Sequence, residues 1–127
     1  MKILIVDDTL VVRKMQMNTL QKMGFTQLLE AKNGIEAIRT AESNPDLGLI
    51  LLDWNMPAMN GITALKSLKL NPKTQKIPVV MVTAEKNKSK VLEAVKNGAS
   101  GYITIPFIEK EFKLKIQTIL EKCTALA

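Results

Sequence analysis

The 127-residue sequence contains no histidine, a single cysteine and few aromatic residues, which make up 4% of the chain. The lack of histidine excludes imidazole metal sites, Ser-His or Cys-His catalysis and phosphotransfer through a histidine of this chain. The lone Cys123 cannot form an internal disulfide, which fits a cytoplasmic location. No apolar run approaches the ~20 residues of a membrane span, and the short run before Asp7 is not a signal peptide, so we expect no membrane segment.

The composition is that of a folded domain with a positive surface. Hydrophobic residues make up 46% and charged residues 24% of the sequence, and the net charge is +6. We expect one monomeric domain over residues 1–127, because this length suits a single hydrophobic core. The lysines are spread along the chain and aromatic residues are scarce, which indicates a solvated surface rather than a nucleic-acid site.

Short apolar runs alternate with longer amphipathic segments throughout the sequence. The pattern predicts strands at residues 3–6, 25–31, 47–52, 78–82 and 101–105 and helices at 9–23, 33–43, 61–70, 86–97 and 107–122. The third run has no polar alternation, which is typical of a parallel strand buried on both faces. The sequence therefore predicts an α/β fold of five βα units, doubly wound as a three-layer sandwich around a parallel sheet of order 2-1-3-4-5.

Apolar residues at helical spacing predict the buried faces of the first and last helices. In the first helix the predicted stripe is Val12, Met15, Leu20 and Met23. In the last helix it is Ile108, Phe112, Ile116, Ile119 and Leu120. Leu114 falls on the opposite face of the last helix, among Lys110 and Lys113, and we expect these three residues at the surface.

Polar residues follow three of the predicted strands at the point where each strand ends. Asp7 and Asp8 come after the first strand, Asp53 after the third and Thr83 after the fourth. Ligands of open α/β sheets bind outside the carboxyl ends of the strands, so the three aspartates are expected to converge. Their mutual repulsion calls for a cation, and Mg²⁺ prefers such oxygen ligands. One carboxylate would then be available as a nucleophile toward phosphorus, with the Thr83 hydroxyl as a donor to phosphoryl oxygens.

Each of these residues has a simpler explanation when it is taken alone. An Asp-Asp pair before a helix is usually a helix cap, Asp53 could cap the turn that follows it, and a threonine at a strand end usually has no special role. Their occurrence at three strand ends of one sheet favours a shared site.

Several segments of the sequence resemble the receiver domain of bacterial two-component response regulators, and in particular the single-domain regulators of chemotaxis. They are Ile3-Leu-Ile-Val-Asp-Asp8, Leu51-Leu-Asp-Trp-Asn-Met-Pro57, Asn60-Gly61, Val80-Met-Val-Thr-Ala-Glu85 and Gly98-Ala-Ser-Gly-Tyr102. The resemblance implies that Asp53 accepts a phosphoryl group from a histidine kinase or a phosphotransfer protein. It implies Mg²⁺ ligands from Asp7, Asp8, Asp53 and the backbone carbonyl of Asn55. It further implies that Thr83 bonds to the phosphoryl group and that Tyr102 is an aromatic switch that moves with it.

The same resemblance implies how the signal leaves the domain. The output surface would be formed by the fourth helix, the fifth strand and the fifth helix, where Lys110, Lys113 and Leu114 would contribute to a basic, partly apolar patch. Output would pass to a downstream protein by docking, as on a flagellar motor switch, because no DNA-binding domain follows. Members of this family are not enzymes, apart from a slow self-dephosphorylation.

One position departs from the family pattern. The family has a lysine before the proline that follows the fifth strand, whereas this sequence has Ile105 before Pro106. Isoleucine cannot donate to a phosphoryl oxygen, so we expect acceptance of phosphate to persist and its coupling to the output surface to weaken. Lys86 or Lys88 would substitute only if one of them reached the pocket, and we expect that neither does. The resemblance also implies a cis peptide bond between Ile105 and Pro106.

Three other functions compete with this interpretation. A phosphorylation-independent binding module of the same fold is supported by Ile105. A phosphohydrolase of the haloacid dehalogenase type needs a second aspartate where this chain has Asn55. An FMN protein of the flavodoxin type needs a phosphate-binding loop after the first strand, where Asp7 and Asp8 would instead repel a phosphate.

Overall fold

Five parallel strands form the centre of the fold in the computed structural model, which describes residues 1–126. The strands are β1 (Lys2–Val6), β2 (Gln27–Ala31), β3 (Leu47–Leu52), β4 (Val79–Thr83) and β5 (Gly101–Thr104). The helices are α1 (Leu10–Lys22), α2 (Gly34–Ser43), α3 (Gly61–Leu70), α4 (Lys88–Lys96) and α5 (Glu109–Leu126). The strands lie in the order β2-β1-β3-β4-β5, which confirms the predicted fold class and sheet order.

Two separate cores explain why the central strands are apolar at every position. In β1, Ile3 and Ile5 pack with residues of α1 and α5, whereas Leu4 and Val6 pack with residues of α2, α3 and α4. Because side chains alternate between the faces of a strand, a strand covered on both sides must be apolar throughout. The result is the predicted three-layer arrangement, with α1 and α5 on one face of the sheet and the other helices on the opposite face.

The predicted apolar stripes of α1 and α5 are only partly correct. Met15 of α1 is exposed, and the buried residues of this helix are Arg13, Gln16, Thr19 and Leu20. Ile108 is also exposed, and it lies just before α5, which begins at Glu109. The remaining prediction for α5 is confirmed, since its stripe packs on the core through residues that include Phe112 and Ile116.

Residue 105 lies at the edge of the site, where β5 has just ended. The Ile105 N–H donates to the Thr83 carbonyl oxygen at 2.9 Å, so the chain after β5 runs beside the end of β4. The Ile105-Pro106 peptide bond is cis, as the resemblance implied. Among residues 1–126, none of the helices combines the length and the hydropathy that a membrane crossing requires.

Candidate functional site

The structure brings together the three carboxylates that the strand order predicted to converge. β1 and β3 are paired with Val6 opposite Leu52, so Asp7 and Asp53 leave the sheet side by side. The Asp53 N–H donates to the Val6 carbonyl oxygen at 3.0 Å, which continues this pairing beyond the last strand residues. One oxygen from each of Asp7, Asp8 and Asp53 lies within 4.8 Å of the others. Asp7 is buried, Asp53 is half-buried and Asp8 is exposed.

Asp7 is held in place from several directions, and it is not the cap of α1. The capping position belongs to Thr9, whose N–H donates to Asp7 Oδ1 at 2.8 Å. The Asp7 N–H donates to the Ala31 carbonyl oxygen at 3.1 Å, and the Asp7 carbonyl oxygen accepts from Arg13 Nη1 at 2.7 Å. These bonds fix both the peptide and the carboxylate of Asp7, so the simpler explanation of the pair as a helix cap does not describe its geometry.

The charges of this cluster are only partly compensated within the chain. Burial, together with repulsion from Asp53 and Asp8, raises the pKa of Asp7 to about 7, although a bond from the Thr9 N–H opposes the shift. Burial also raises the pKa of Asp53, while hydrogen bonds from Thr83, Trp54 and Asp7 lower it. Because the three carboxylates lie close together and two of them are poorly solvated, the state in which all three are ionised is disfavoured.

This donor set fits a magnesium ion. The site offers carboxylate oxygens close enough to share one ion, and a divalent cation would relieve the repulsion that raises the pKa of Asp7. Receiver domains generally bind Mg²⁺ at an acidic pocket of this kind. When bound, such an ion would supply positive charge that stabilises a transferring phosphoryl group.

A cleft of about 210 Å³ opens beside the carboxylates. Its lining residues are Asp7, Thr9, Val12, Asp53, Asn55, Thr83, Ala84 and Ile105. The structure therefore places Asn55, Thr83 and Ile105 in the same cleft as two of the carboxylates. Among the described residues no lysine lines this cleft, which agrees with the expectation that neither Lys86 nor Lys88 reaches it.

Tyr102 lies outside the cleft lining but is joined to Thr83 through the backbone of one residue, Glu85. The Tyr102 hydroxyl donates to the Glu85 carbonyl oxygen at 2.7 Å, and the Glu85 N–H donates to Thr83 Oγ1 at 3.2 Å. Burial, followed by the negative charges of Glu85 and Asp53, raises the pKa of the Tyr102 hydroxyl, which keeps it a donor. The backbone of Glu85 thus connects the two residues that the resemblance pairs as a switch.

The residue after Asp53 connects the cleft to α3 and α4. The Trp54 N–H donates to Asp53 Oδ1 at 2.7 Å, and the Trp54 carbonyl oxygen accepts from the Gly61 N–H at 2.7 Å. Gly61 allows this close approach, since a Cβ there would collide with the Asp53 carbonyl oxygen. Lys90 Nζ of α4 lies 4.7 Å from the centroid of the Trp54 ring, which is a cation-π contact.

The candidate output residues of α5 share one face. Lys110, Lys113 and Leu114 line a shallow surface cleft together with Glu109 and Gln117. Leu114 is 63% exposed, and Lys113 pairs with Glu109 at 3.2 Å. Leu114 also borders Tyr102 in a second, largely apolar cleft of about 310 Å³. That cleft is lined by Gly101, Tyr102, Leu114, Lys115, Thr118 and Ile119.

Sequence reasoning missed Arg13, Lys90 and the role of the Glu85 backbone. Arg13 is buried against Asp7, and neither its residue type nor its position in an amphipathic helix distinguishes it from a surface arginine. Glu85 acts through main-chain atoms, which every residue has. Lys90 is one of several lysines near the start of α4, and only the fold places it over Trp54.

Comparison with known proteins identifies the class to which this fold and site belong. The family model of the response regulator receiver domain matches residues 3–117. The chain therefore belongs to the response regulator receiver family, whose members are signalling proteins rather than enzymes.

Individual relatives share most of their length with this chain. Chemotaxis protein CheY1 of Helicobacter pylori is 38% identical over 120 residues, which are 94% of this chain and 97% of the relative. Chemotaxis protein CheY of Pseudomonas aeruginosa is 38% identical over 122 residues, covering 96% and 98% of the two chains. Among solved structures, chemotaxis protein CheY4 of Vibrio cholerae has a TM-score of 0.84 at 30% identity, covering 93% of this chain and 97% of the other. A CheY-like receiver domain protein of Methanospirillum hungatei has a TM-score of 0.87 at 26% identity, covering 99% and 98%.

Proposed function

We propose that this chain is a single-domain response regulator of the chemotaxis type, phosphorylated on Asp53 in a reaction that requires Mg²⁺. The observation that carries the proposal is the convergence of three carboxylates at the carboxyl ends of β1 and β3, two of which share a cleft with Thr83 at the end of β4. The proposal is supported by the family and by chemotaxis relatives that match the chain over nearly its whole length. We further propose that the protein is cytoplasmic and monomeric, and that residues 1–127 form one domain.

Each residue of the site has a role in this proposal. Mg²⁺ would be held by the carboxylates of Asp7, Asp8 and Asp53 and by the backbone carbonyl of Asn55. An oxygen of Asp53 attacks the phosphorus of the donor, a histidine kinase or a phosphotransfer protein, and the donor's bond to phosphorus breaks. The Thr83 hydroxyl then donates to a phosphoryl oxygen.

Output follows from the connection between Thr83 and Tyr102. If Thr83 turns its hydroxyl toward a phosphoryl group on Asp53, the bond from the Glu85 N–H to Thr83 Oγ1 changes, and Glu85 also holds the Tyr102 hydroxyl. Tyr102 borders the apolar cleft that contains Leu114, so the change would reach the β5 and α5 part of the face formed by α4, β5 and α5. A downstream protein would dock there, and a flagellar motor switch is the partner that the chemotaxis relatives suggest.

Intact-mass analysis after incubation with acetyl phosphate tests the acceptor role. We expect the mass of one phosphoryl group to be added in the presence of Mg²⁺ and not in the presence of EDTA. Asp53→Asn should abolish the addition. Asp46→Asn is the matched control, because Asp46 is exposed and lies at the opposite end of β3.

A phosphorylation-independent binding module is the second candidate, and Ile105 is the observation that favours it, because the cleft lacks the family lysine. That function predicts no mass gain in any variant. A mass gain that persists in Asp53→Asn would contradict the assignment of Asp53 while leaving phosphorylation in place.

A further inference from the structure

The guanidinium group of Arg13 bonds both to Asp7, which follows β1, and to Glu30 of β2. Its Nη1 donates to the Asp7 carbonyl oxygen at 2.7 Å, and its Nε donates to Glu30 Oε1 at 2.9 Å. Glu30 precedes Ala31, whose carbonyl oxygen accepts the Asp7 N–H. The backbone of Asp7 is therefore held at its N–H by β2 and at its carbonyl oxygen by a guanidinium that is itself bonded to β2.

Stability alone is a poor explanation for this arrangement. Arg13 is 5% exposed, and removing an ion from water carries a penalty that its ion pair often fails to recover. Its partner Glu30 is a third exposed, so solvent weakens the attraction that would offset the penalty. A guanidinium group is planar and its donors point in fixed directions, so it can hold its partners in a precise geometry.

Arg13 also does not act as a counter-charge for the acidic cluster. It bonds to the backbone carbonyl of Asp7 and not to the carboxylate. Its charge is matched by Glu30, whose pKa is lowered first of all by the hydrogen bond from Arg13. What the guanidinium controls is the position of the Asp7 backbone, and therefore the direction in which the Asp7 carboxylate points.

We propose that Arg13 is a positioning residue that sets the affinity of the metal site by fixing the peptide of Asp7 against β2. The inference rests on the proposed Mg²⁺ site. It follows the general behaviour of metal sites, in which groups that orient a ligand change metal affinity roughly 10- to 100-fold when they are removed.

Isothermal titration with MgCl₂, in parallel with urea denaturation, tests the proposal on three variants. Arg13→Met keeps an unbranched, largely apolar side chain and removes both donors, so we expect Mg²⁺ affinity to fall by roughly 10- to 100-fold. Arg13→Lys keeps the charge, but one ammonium cannot reproduce the planar guanidinium, so we expect an intermediate loss. Lys14→Met is the matched control, because Lys14 also pairs with Glu30, at 3.5 Å, and has no bond to Asp7. Its Mg²⁺ affinity should equal that of the parent.

A further variant keeps the test decisive if Arg13→Met does not fold. Arg13→Met combined with Glu30→Leu replaces both partners of the ion pair by apolar residues, so no carboxylate is left beside the apolar residue at position 13. The proposal expects this folded protein to bind Mg²⁺ weakly. A folded variant without Arg13 that binds Mg²⁺ as tightly as the parent would overturn it. Failure of the parent itself to bind Mg²⁺ would contradict the proposed function, which is a separate result.

Discussion

Histidine, the side chain that ordinarily titrates between pH 6 and pH 8, is absent, and the pKa values of two neighbouring carboxyl groups, Asp7 and Asp53, are raised. Burial and the neighbouring carboxylates raise the pKa of Asp7 from its ordinary value of 3.8 to about 7. A group with a raised pKa binds its proton more tightly in the folded protein. Its stabilising contribution is complete below pH 3.8 and is lost as the pH rises through about 7.

The size of the effect follows from these two pKa values. Linkage gives about 1.4 kcal/mol more free energy of unfolding at pH 6 than at pH 8 for the metal-free protein. Asp7 is almost fully buried, so solvent does not screen this effect. The carboxyl groups of Glu30, Asp46 and Glu109 have lowered pKa values, so they lose their stabilising ionised form only well below pH 6.

Urea denaturation in EDTA at the two pH values measures this difference. We expect the parent to be more stable at pH 6, and Asp7→Asn to remove the dependence because an amide does not titrate in this range. Mg²⁺ should stabilise the parent most at pH 8, where the carboxylates are ionised and ready to bind it. The reasoning is refuted if the metal-free parent is equally stable at both pH values, or if Asp7→Asn retains the full difference.

The remaining predictions concern three contacts around the cleft. A phosphoryl mimic such as beryllofluoride should change partner affinity by about 1 kcal/mol or more beyond its effect on the parent when Ile105 is replaced by lysine. The coupling argument is contradicted if Ile105→Lys has the same partner affinity as the parent both with and without the mimic. Gly61→Ala should destabilise the protein by about 1–3 kcal/mol in urea, because its Cβ would collide with the Asp53 carbonyl oxygen; unchanged stability would show that the loop has room to move. Lys90→Met should remove a contact worth about 1 kcal/mol and alter the emission of Trp54, the only tryptophan, whereas an unchanged spectrum would show that the contact does not persist in solution.

The sequence predicted the fold well where the apolar pattern agrees with the residues that begin and end an element. The strand at 47–52 and the helix at 61–70 match the structure, since the strand is an unbroken run without polar side chains and the helix lies between Asn60 and Asn71. The prediction was less accurate for α4, which begins at Lys88 rather than at residue 86. The Asn87 side chain accepts from the Ser89 N–H there and sets the start of the helix.

The candidate site was predictable as far as it depends on strand ends. Asp7, Asp53 and Thr83 each follow or end a strand, and the sheet order alone places them together. Arg13 could not be found in this way, because apolar periodicity treats a charged residue as a surface residue. In α1 that rule placed Met15 inside, whereas the helix buries Arg13 toward the Asp7 loop and exposes Met15.

The consequence of Ile105 depends on how many routes lead from the cleft to the output face. Its side chain lines the cleft and also packs against the core formed with α1 and α5, so it replaces an ionic contact by apolar packing. The route through the Glu85 backbone, from Thr83 to Tyr102, consists of hydrogen bonds and does not involve residue 105. A phosphoryl group on Asp53 would therefore have one route fewer to the surface than a receiver domain with a lysine at this position. Such a protein should respond to phosphorylation with a smaller change in partner affinity, and its metal site should carry more of the charge compensation that a lysine would otherwise share.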